Sequence, residues 1–227
     1  MLRQIDESLW CHDAPVTLRP GGMRMPARTT VVRLADGLWV HSPLAIDDEL
    51  AASIAALGEV RHLVAPNLFH HLYLGGAIER FPAARVYAPA RLRSKRPELR
   101  VDVALEDAGE PWPELATLAI AGVPELDECV FFHQPSATLI VSDLVFNLHE
   151  VDGLMLPMIL RMVGAWKRLA QSKLWRRYTK DRAAAAASVA AVLAQPMRRL
   201  IPAHGEIVEG PELPGQLAGA LAWMAAG

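Results

Sequence analysis

Four residues whose side chains ligate metals or carry protons stand where strand-like runs end. His70 and His71 follow His62-Leu63-Val64-Ala65 and the turn Pro66-Asn67, where proline stops regular pairing. Asp143 closes Thr138-Leu139-Ile140-Val141-Ser142, and His204 closes Arg199-Leu200-Ile201-Pro202 just before Gly205. Open α/β sheets place ligands at such edges. Two or three imidazoles with a carboxylate suit Zn²⁺, Fe²⁺ or Mn²⁺. With open coordination positions, such a site brings the pKa of a bound water towards neutrality, and metal-assisted hydrolysis is the chemistry that follows.

The elements that must position these residues follow from patterning. Strand signals occur from Leu9-Trp10, over Thr29 to Leu34, and over Leu38 to His41, with Ala35-Asp36-Gly37 a hairpin turn and Arg19-Pro20-Gly21-Gly22 a second turn. Asp47 to Leu57 reads as a helix: Asp47 is a candidate N-cap, Gly58 a C-cap, and Leu50, Ile54 and Leu57 share a face. Further strands are expected at Val86 to Ala88, at Val101 to Val103, within 112–120, and as a hairpin of 130–132 with 138–141. Helices are expected over 153–178, 183–193 and 211–226.

Composition narrows the function classes. The 227 residues are 52% apolar and 21% charged, which is globular and most simply one domain over 1–227. Net charge is −2, giving no electrostatic case for nucleic acid. The charge is uneven: residues 161–182 carry +7 and leave −9 on the rest. Two cysteines, Cys11 and Cys129, match neither a disulfide framework nor a zinc ribbon, and a reducing cytoplasm is the expected compartment. No run approaches the roughly 18 apolar residues of a spanning helix.

The element order, with polar residues at strand ends, resembles the metallo-β-lactamase fold over nearly the whole chain. The resemblance implies an α/β (α+β) protein, a four-layer αββα sandwich of the metallo-β-lactamase type, with a helical basic insertion at about 153–182. Val60 to Tyr87 looks like the segment that carries the HxHxDH motif in that family. Leu139 to Phe146, LIVSDLVF, is similar to the strand ending in the bridging aspartate, and IPAHG at 201–205 to the strand ending in the last histidine ligand. Placing His71 on the final His of the motif puts His70 on its Asp. Pro66 and Leu68 then fall on the first two histidines, and neither side chain can ligate. Gly122-Val123-Pro124-Glu125 places Glu125 where the family has its next histidine. The ligand set that the resemblance implies is therefore His70, His71, Asp143 and His204, with Glu125. The chain looks most like a divergent group of that superfamily, the domain of unknown function DUF4336.

The remaining polar residues fill supporting roles in this reading. His41, Asn67 and His149 are expected to touch substrate or to hold ligands in place. His133 is expected to be exposed in a hairpin turn, and His12 and His62 to be structural. Trp166, Trp175, Met155, Met158 and Met162 are mostly expected in core or interface. The apolar run 154–160, followed by basic helix, suits a lid over an anionic substrate, a homodimer surface or a membrane-surface contact. The expected function is a metal-dependent hydrolase with a reduced site. It would hold at most one divalent metal (zinc, iron or manganese) and act on a small molecule. The alternatives are a small-molecule-binding or partner protein on the same fold, and an iron oxidoreductase.

Overall fold

The computed structural model describes residues 1–18, 22–153 and 155–226, the side chain of Leu18 excepted. Three residues of the turn expected at 19–22, Arg19, Pro20 and Gly21, lie outside the described residues, as does Leu154 of the apolar run. The chain forms two compact units, one of Met1–Ala14 and Arg28–Trp112, the other of Pro15–Ala27 and Pro113–Gly227.

The first unit is built on a seven-stranded sheet in sequential order: β1 (Arg3–Asp6), β2 (Leu9–Leu18), β3 (Met23–Leu34), β4 (Gly37–His41), β5 (Val60–Val64), β6 (Arg85–Ala88) and β7 (Val103–Ala104). The tips of β2 and β3 belong to the second unit. The hairpin expected at Asp36-Gly37 joins β3 to β4, with Leu34 opposite Gly37. From β4 to β7 the strands run parallel, so each connection is a crossover, and helices lie in them. These are α1 (Asp48–Ala55), α2 (Leu74–Arg80) and α3 (Leu92–Lys95). Asp47 caps α1 as expected, its Oδ1 accepting from Leu50 N at 2.8 Å. The helix ends at Ala56, before the glycine expected to close it. Leu50 and Ile54, Leu74 and Ala77, and Leu92 bring the three helices into one core with Val31, Val40, Leu63 and Val86. Each fully buried leucine there contributes about 2 kcal/mol of transfer free energy.

The second unit holds a five-stranded sheet in the order β12-β11-β10-β9-β8, where β8 is Leu115–Ala119, β9 Cys129–His133, β10 Thr138–Val141, β11 Arg199–Pro202 and β12 Val208–Glu209. Between β10 and β11, which are parallel, come α4 (Met155–Val163), α5 (Leu174–Tyr178) and α6 (Arg182–Leu193); α7 (Leu213–Ala225) closes the chain. Val189 and Val192 of α6 and Leu217, Leu221 and Met224 of α7 pack on Phe132, Leu139, Val141 and Leu200. The sheet thus carries its helices on that face, while Leu156 and Leu160 of α4 form a separate small core with Phe146 and Leu148.

One expectation fails in this unit, and another is narrowed to its interface half. His133 is buried, because β9 is an interior strand and pairs it with Leu115 on one side and Thr138 on the other. Its Nδ1 sits 2.7 Å from Ser136 Oγ. Met155, Met158 and Met162 are exposed by 53%, 62% and 68%, so they are not core residues. Their spacing of three and four puts them together on the outer face of α4, opposite Leu156 and Leu160. Among the described residues no helix is long and apolar enough to cross a membrane.

Candidate metal centre

In the first unit the site residues hang on the loop after β5. Asn67 is fully buried, and its Oδ1 accepts from the amides of Phe69 (2.9 Å) and His70 (2.8 Å). This closes a side-chain turn that fixes where His70 leaves the backbone. The His70 Nδ1 lies 2.5 Å from Ser42 Oγ. When Nδ1 carries the proton, the hydroxyl accepts it and the ring's lone pair is on Nε2.

Ser42 itself adopts φ 52°, a left-handed conformation unusual for serine, and doubly so in front of Pro43. The surroundings enforce it: Ser42 N donates to Val64 O at 2.9 Å, and Thr29 Oγ1 donates to Ser42 O at 3.1 Å.

The neighbouring histidine has different surroundings. His71 is buried, its Nδ1 has no hydrogen-bond partner, and its pKa is lowered to about 4 by burial, then by the positive charges of Lys95 and Arg96. It is therefore a neutral ring at ordinary pH. His41, at the end of β4, stacks on Trp39 with ring centroids 5.3 Å apart, and burial holds its pKa well below the ordinary range, with the charge of His70 a second cause. Leu68 belongs to the apolar core and Pro66 is buried.

The second unit holds Asp143 and His204. The Asp143 turn is clamped by Glu128, which the sequence reading passed over in favour of Glu125. Glu128 is 1% exposed; its Oε1 accepts from Ser142 N (3.0 Å) and Leu144 N (3.1 Å), and its Oε2 from Asp143 N (3.0 Å). From the other side Trp175 Nε1 donates to Asp143 O at 2.7 Å. Glu125, three residues before Glu128, has Oε1 3.2 Å from Lys180 Nζ.

His204 is held just as tightly. Its Nδ1 is 2.8 Å from the Pro26 carbonyl, and since a carbonyl only accepts, Nδ1 carries the proton. Nε2, which carries a lone pair in the neutral ring and an N–H in the imidazolium, lies 3.6 Å from Asp143 Oδ1. Phe146 stacks against the ring with centroids 5.3 Å apart. After His204, Gly205 takes φ 99° where the chain passes Asn147: a Cβ there would come within 2.1 Å of Asn147 O. Asn147 N donates to His204 O (3.0 Å), and His149 Nε2 lies 2.9 Å from Asn147 Oδ1.

The Asp143–His204 geometry is a test of whether a metal fits. Two lone-pair atoms facing each other repel unless a cation or a proton lies between them. Ligand atoms at bonds of about 2.0–2.1 Å on a tetrahedral metal stand roughly 3.3–3.4 Å apart. The observed 3.6 Å is close to that. A histidine whose Nδ1–H is tied to a backbone carbonyl is also the usual form of a metal-ligating imidazole. The donor set fits a divalent metal.

Comparison with known proteins gives the class and then the family. The chain has the fold of metallo-β-lactamases. It superimposes on one from Pontibacter korlensis at 16% identity, covering 99% of this chain and 98% of that one with a TM-score of 0.63. It does so on one from Erythrobacter litoralis, crystallised with β-mercaptoethanol in its active site, at 17% identity, 98% and 96% coverage and a TM-score of 0.67. It also matches FIM-1 from Pseudomonas aeruginosa in its mono-zinc form, at 16% identity, 100% and 96% coverage and a TM-score of 0.61. The expected fold class, that of the metallo-β-lactamases, is thus the observed one. Among curated proteins none matches the chain in sequence. The family model described as "Domain of unknown function (DUF4336)" matches residues 6–161, and the chain belongs to that family.

Proposed function

We propose that this protein is a metal-dependent hydrolase that holds one divalent metal with Asp143 and His204 among its ligands, and that His70, a position the family resemblance gives to a ligand, supplies a second imidazole. The observation that carries the reading is His204, whose Nδ1 is tied to the Pro26 carbonyl while its Nε2 lies 3.6 Å from Asp143 Oδ1. When bound, the metal supplies Lewis-acid polarisation of a carbonyl or phosphoryl group and a water of lowered pKa.

This chain's own residues do the positioning. Asn67 and Ser42 orient His70, and Glu128 and Trp175 fix the Asp143 backbone. His149, 2.9 Å from Asn147 Oδ1, is the candidate group for proton transfer to a leaving group, imidazole being the side chain most often used for that step. We assign His71 and Glu125 to structure: His71 is a desolvated neutral ring, and Glu125 pairs with Lys180. Zinc, iron and manganese all suit this ligand set.

Pro66 and Leu68 favour one competing reading, a binding protein without catalysis, since apolar side chains stand at two positions that the family resemblance gives to ligands. Elemental analysis of protein purified without added metal or chelator separates the two. The hydrolase reading expects about one equivalent per chain and a clear loss in His204→Ala, since removing one of three ligands weakens a site strongly. No metal even after supplementation would leave the binding protein, and two equivalents would show that the ligand assignment is wrong.

A further inference from the structure

Beside the Asp143–His204 pair, the second unit contains a half-open cleft of about 790 Å³, within the size range of small-molecule sites. It lies among the end of α4, the segment before α5, the β11–β12 turn and α7. Three cationic side chains line it: Arg168, Lys173 and Arg176. Each is already held in place. Arg168 Nε and one of its terminal nitrogens donate to Gly164 O (3.2 and 3.0 Å), and Lys173 Nζ donates to Met162 O (3.4 Å). The Arg176 guanidinium lies 5.2 Å from the Trp223 ring centroid, a stacking that leaves its edge to donate. Among the described residues none of the three pairs with a carboxylate. The acid on the lining, Glu209, is taken by Arg199 at 2.5 Å.

Asn147 and His149 also line it, and the Asn147 backbone N–H donates to the His204 carbonyl. An anion seated among the three cations would thus lie against the segment that carries the proposed metal ligand.

We propose that this cleft binds the phosphate group of a small phosphorylated molecule, with Arg168, Lys173 and Arg176 as its recognition residues. The turnover of such a molecule rests on the hydrolase reading above; its binding does not. Three fixed positive charges match a phosphate dianion better than a monoanionic carboxylate, and guanidinium edges engage phosphate oxygens in pairs. The +7 of residues 161–182, in a chain of net charge −2, is then concentrated where a substrate anion is captured.

Calorimetric titration with pyrophosphate, and with inorganic phosphate, tests this on the full chain. Saturable pyrophosphate binding is expected, weakened at least tenfold in Arg168→Gln and again in Lys173→Gln, each of which removes one charge-assisted contact. Arg182→Gln is the control: Arg182 stacks on the same Trp223 ring, also at 5.2 Å, but does not line the cleft. It should bind as the wild type does. No saturation by about 10 mM pyrophosphate would overturn the proposal, since that corresponds to affinity too weak for a recognition site. So would equal weakening in Arg182→Gln, or acetate at matched ionic strength binding as well as phosphate. His204→Ala, titrated in parallel, should retain pyrophosphate binding while losing metal. Metal-free wild type that still binds pyrophosphate would sink the hydrolase reading alone, and one metal equivalent without pyrophosphate binding would sink this inference alone.

Discussion

Replacing Glu128 tests whether the Asp143 turn is held as described. The carboxylate accepts three backbone N–H bonds, from Ser142, Asp143 and Leu144, at 3.0–3.1 Å, in a site 1% exposed. Glutamine keeps one acceptor oxygen, enough for the Ser142 and Leu144 amides. Its NH₂ then meets the Asp143 amide, donor against donor. The loss is one hydrogen bond of about 1 kcal/mol and one buried unsatisfied N–H at about 1–3 kcal/mol, in part relieved by movement. About 2 kcal/mol of destabilisation is expected for Glu128→Gln, a fall in Tm of roughly 4–8 °C for a chain of this size. Alanine strands all three amides and leaves a cavity, so about 3–5 kcal/mol is expected. Urea unfolding at neutral pH reads both, and metal content of the folded Gln variant should fall as Asp143 loses its fixed position. Glu128→Gln within about 0.5 kcal/mol of wild type would refute the account, because a surface substitution would do the same.

Other perturbations follow from single contacts. Gly205→Ala should abolish soluble protein or cost more than about 4 kcal/mol, because its Cβ would meet Asn147 O at 2.1 Å; Gly210→Ala, at φ 114° with nothing within 4 Å, should cost only the roughly 1–2 kcal/mol of left-handed strain. Trp175→Phe, which removes the bond to Asp143 O but little volume, should cost about 1–2 kcal/mol in urea unfolding and lower metal content. Burial raises the Cys11 thiol from 9.0 to about 11, so the native state keeps a proton that the unfolded chain gives up. Its stabilising contribution is complete below pH 9 and is lost as pH rises from 9 to 11. Cys11→Ala should therefore show a shallower decline of stability with pH than wild type across that interval, by up to about 3 kcal/mol, in unfolding series at pH 8 to 11.

What the sequence showed and what it hid divide by range. Strands and caps were legible because their signals are local: Asp47 lies three residues from the amide it caps, and Asp36-Gly37 is itself the turn it announces. The candidate ligand positions were legible as strand ends. Which of His70 and His71 leaves the core was not, because that is decided by Asn67 and by Ser42, 28 residues earlier. The acidic loop 125–128 offered three carboxylates. Position alone favoured Glu125, whereas burial and three amides 14 to 16 residues away select Glu128 as the acid that matters to Asp143. The partner of His204, a proline carbonyl 178 residues away, carries no sequence signal at all. His133 was misread because a hairpin turn suggests exposure, and only the pairing of β9 on both sides shows otherwise.

The contrast between neighbouring positions bears on whether a metal is still the purpose of the site. At Pro66 and Leu68 the chain has taken the simple solution for a strand end, buried apolar side chains that need no partners. Between those two residues the same loop is expensive: buried Asn67 spends its carbonyl on two amides, and at the end of β4 Ser42 is held in a left-handed conformation that costs of order 1–3 kcal/mol. The second unit repeats the pattern with a buried carboxylate spent on three amides and a glycine that no other residue can replace. None of these devices is needed to close a sheet edge, as Pro66 and Leu68 demonstrate within the same loop. What they have in common is their product, an imidazole or carboxylate fixed at its backbone end and, for both histidines, at Nδ1 as well. Fixing one end of a side chain is worth its cost when the other end must meet something in a set geometry, and a metal ion with bonds of about 2 Å is the ligand most demanding of that.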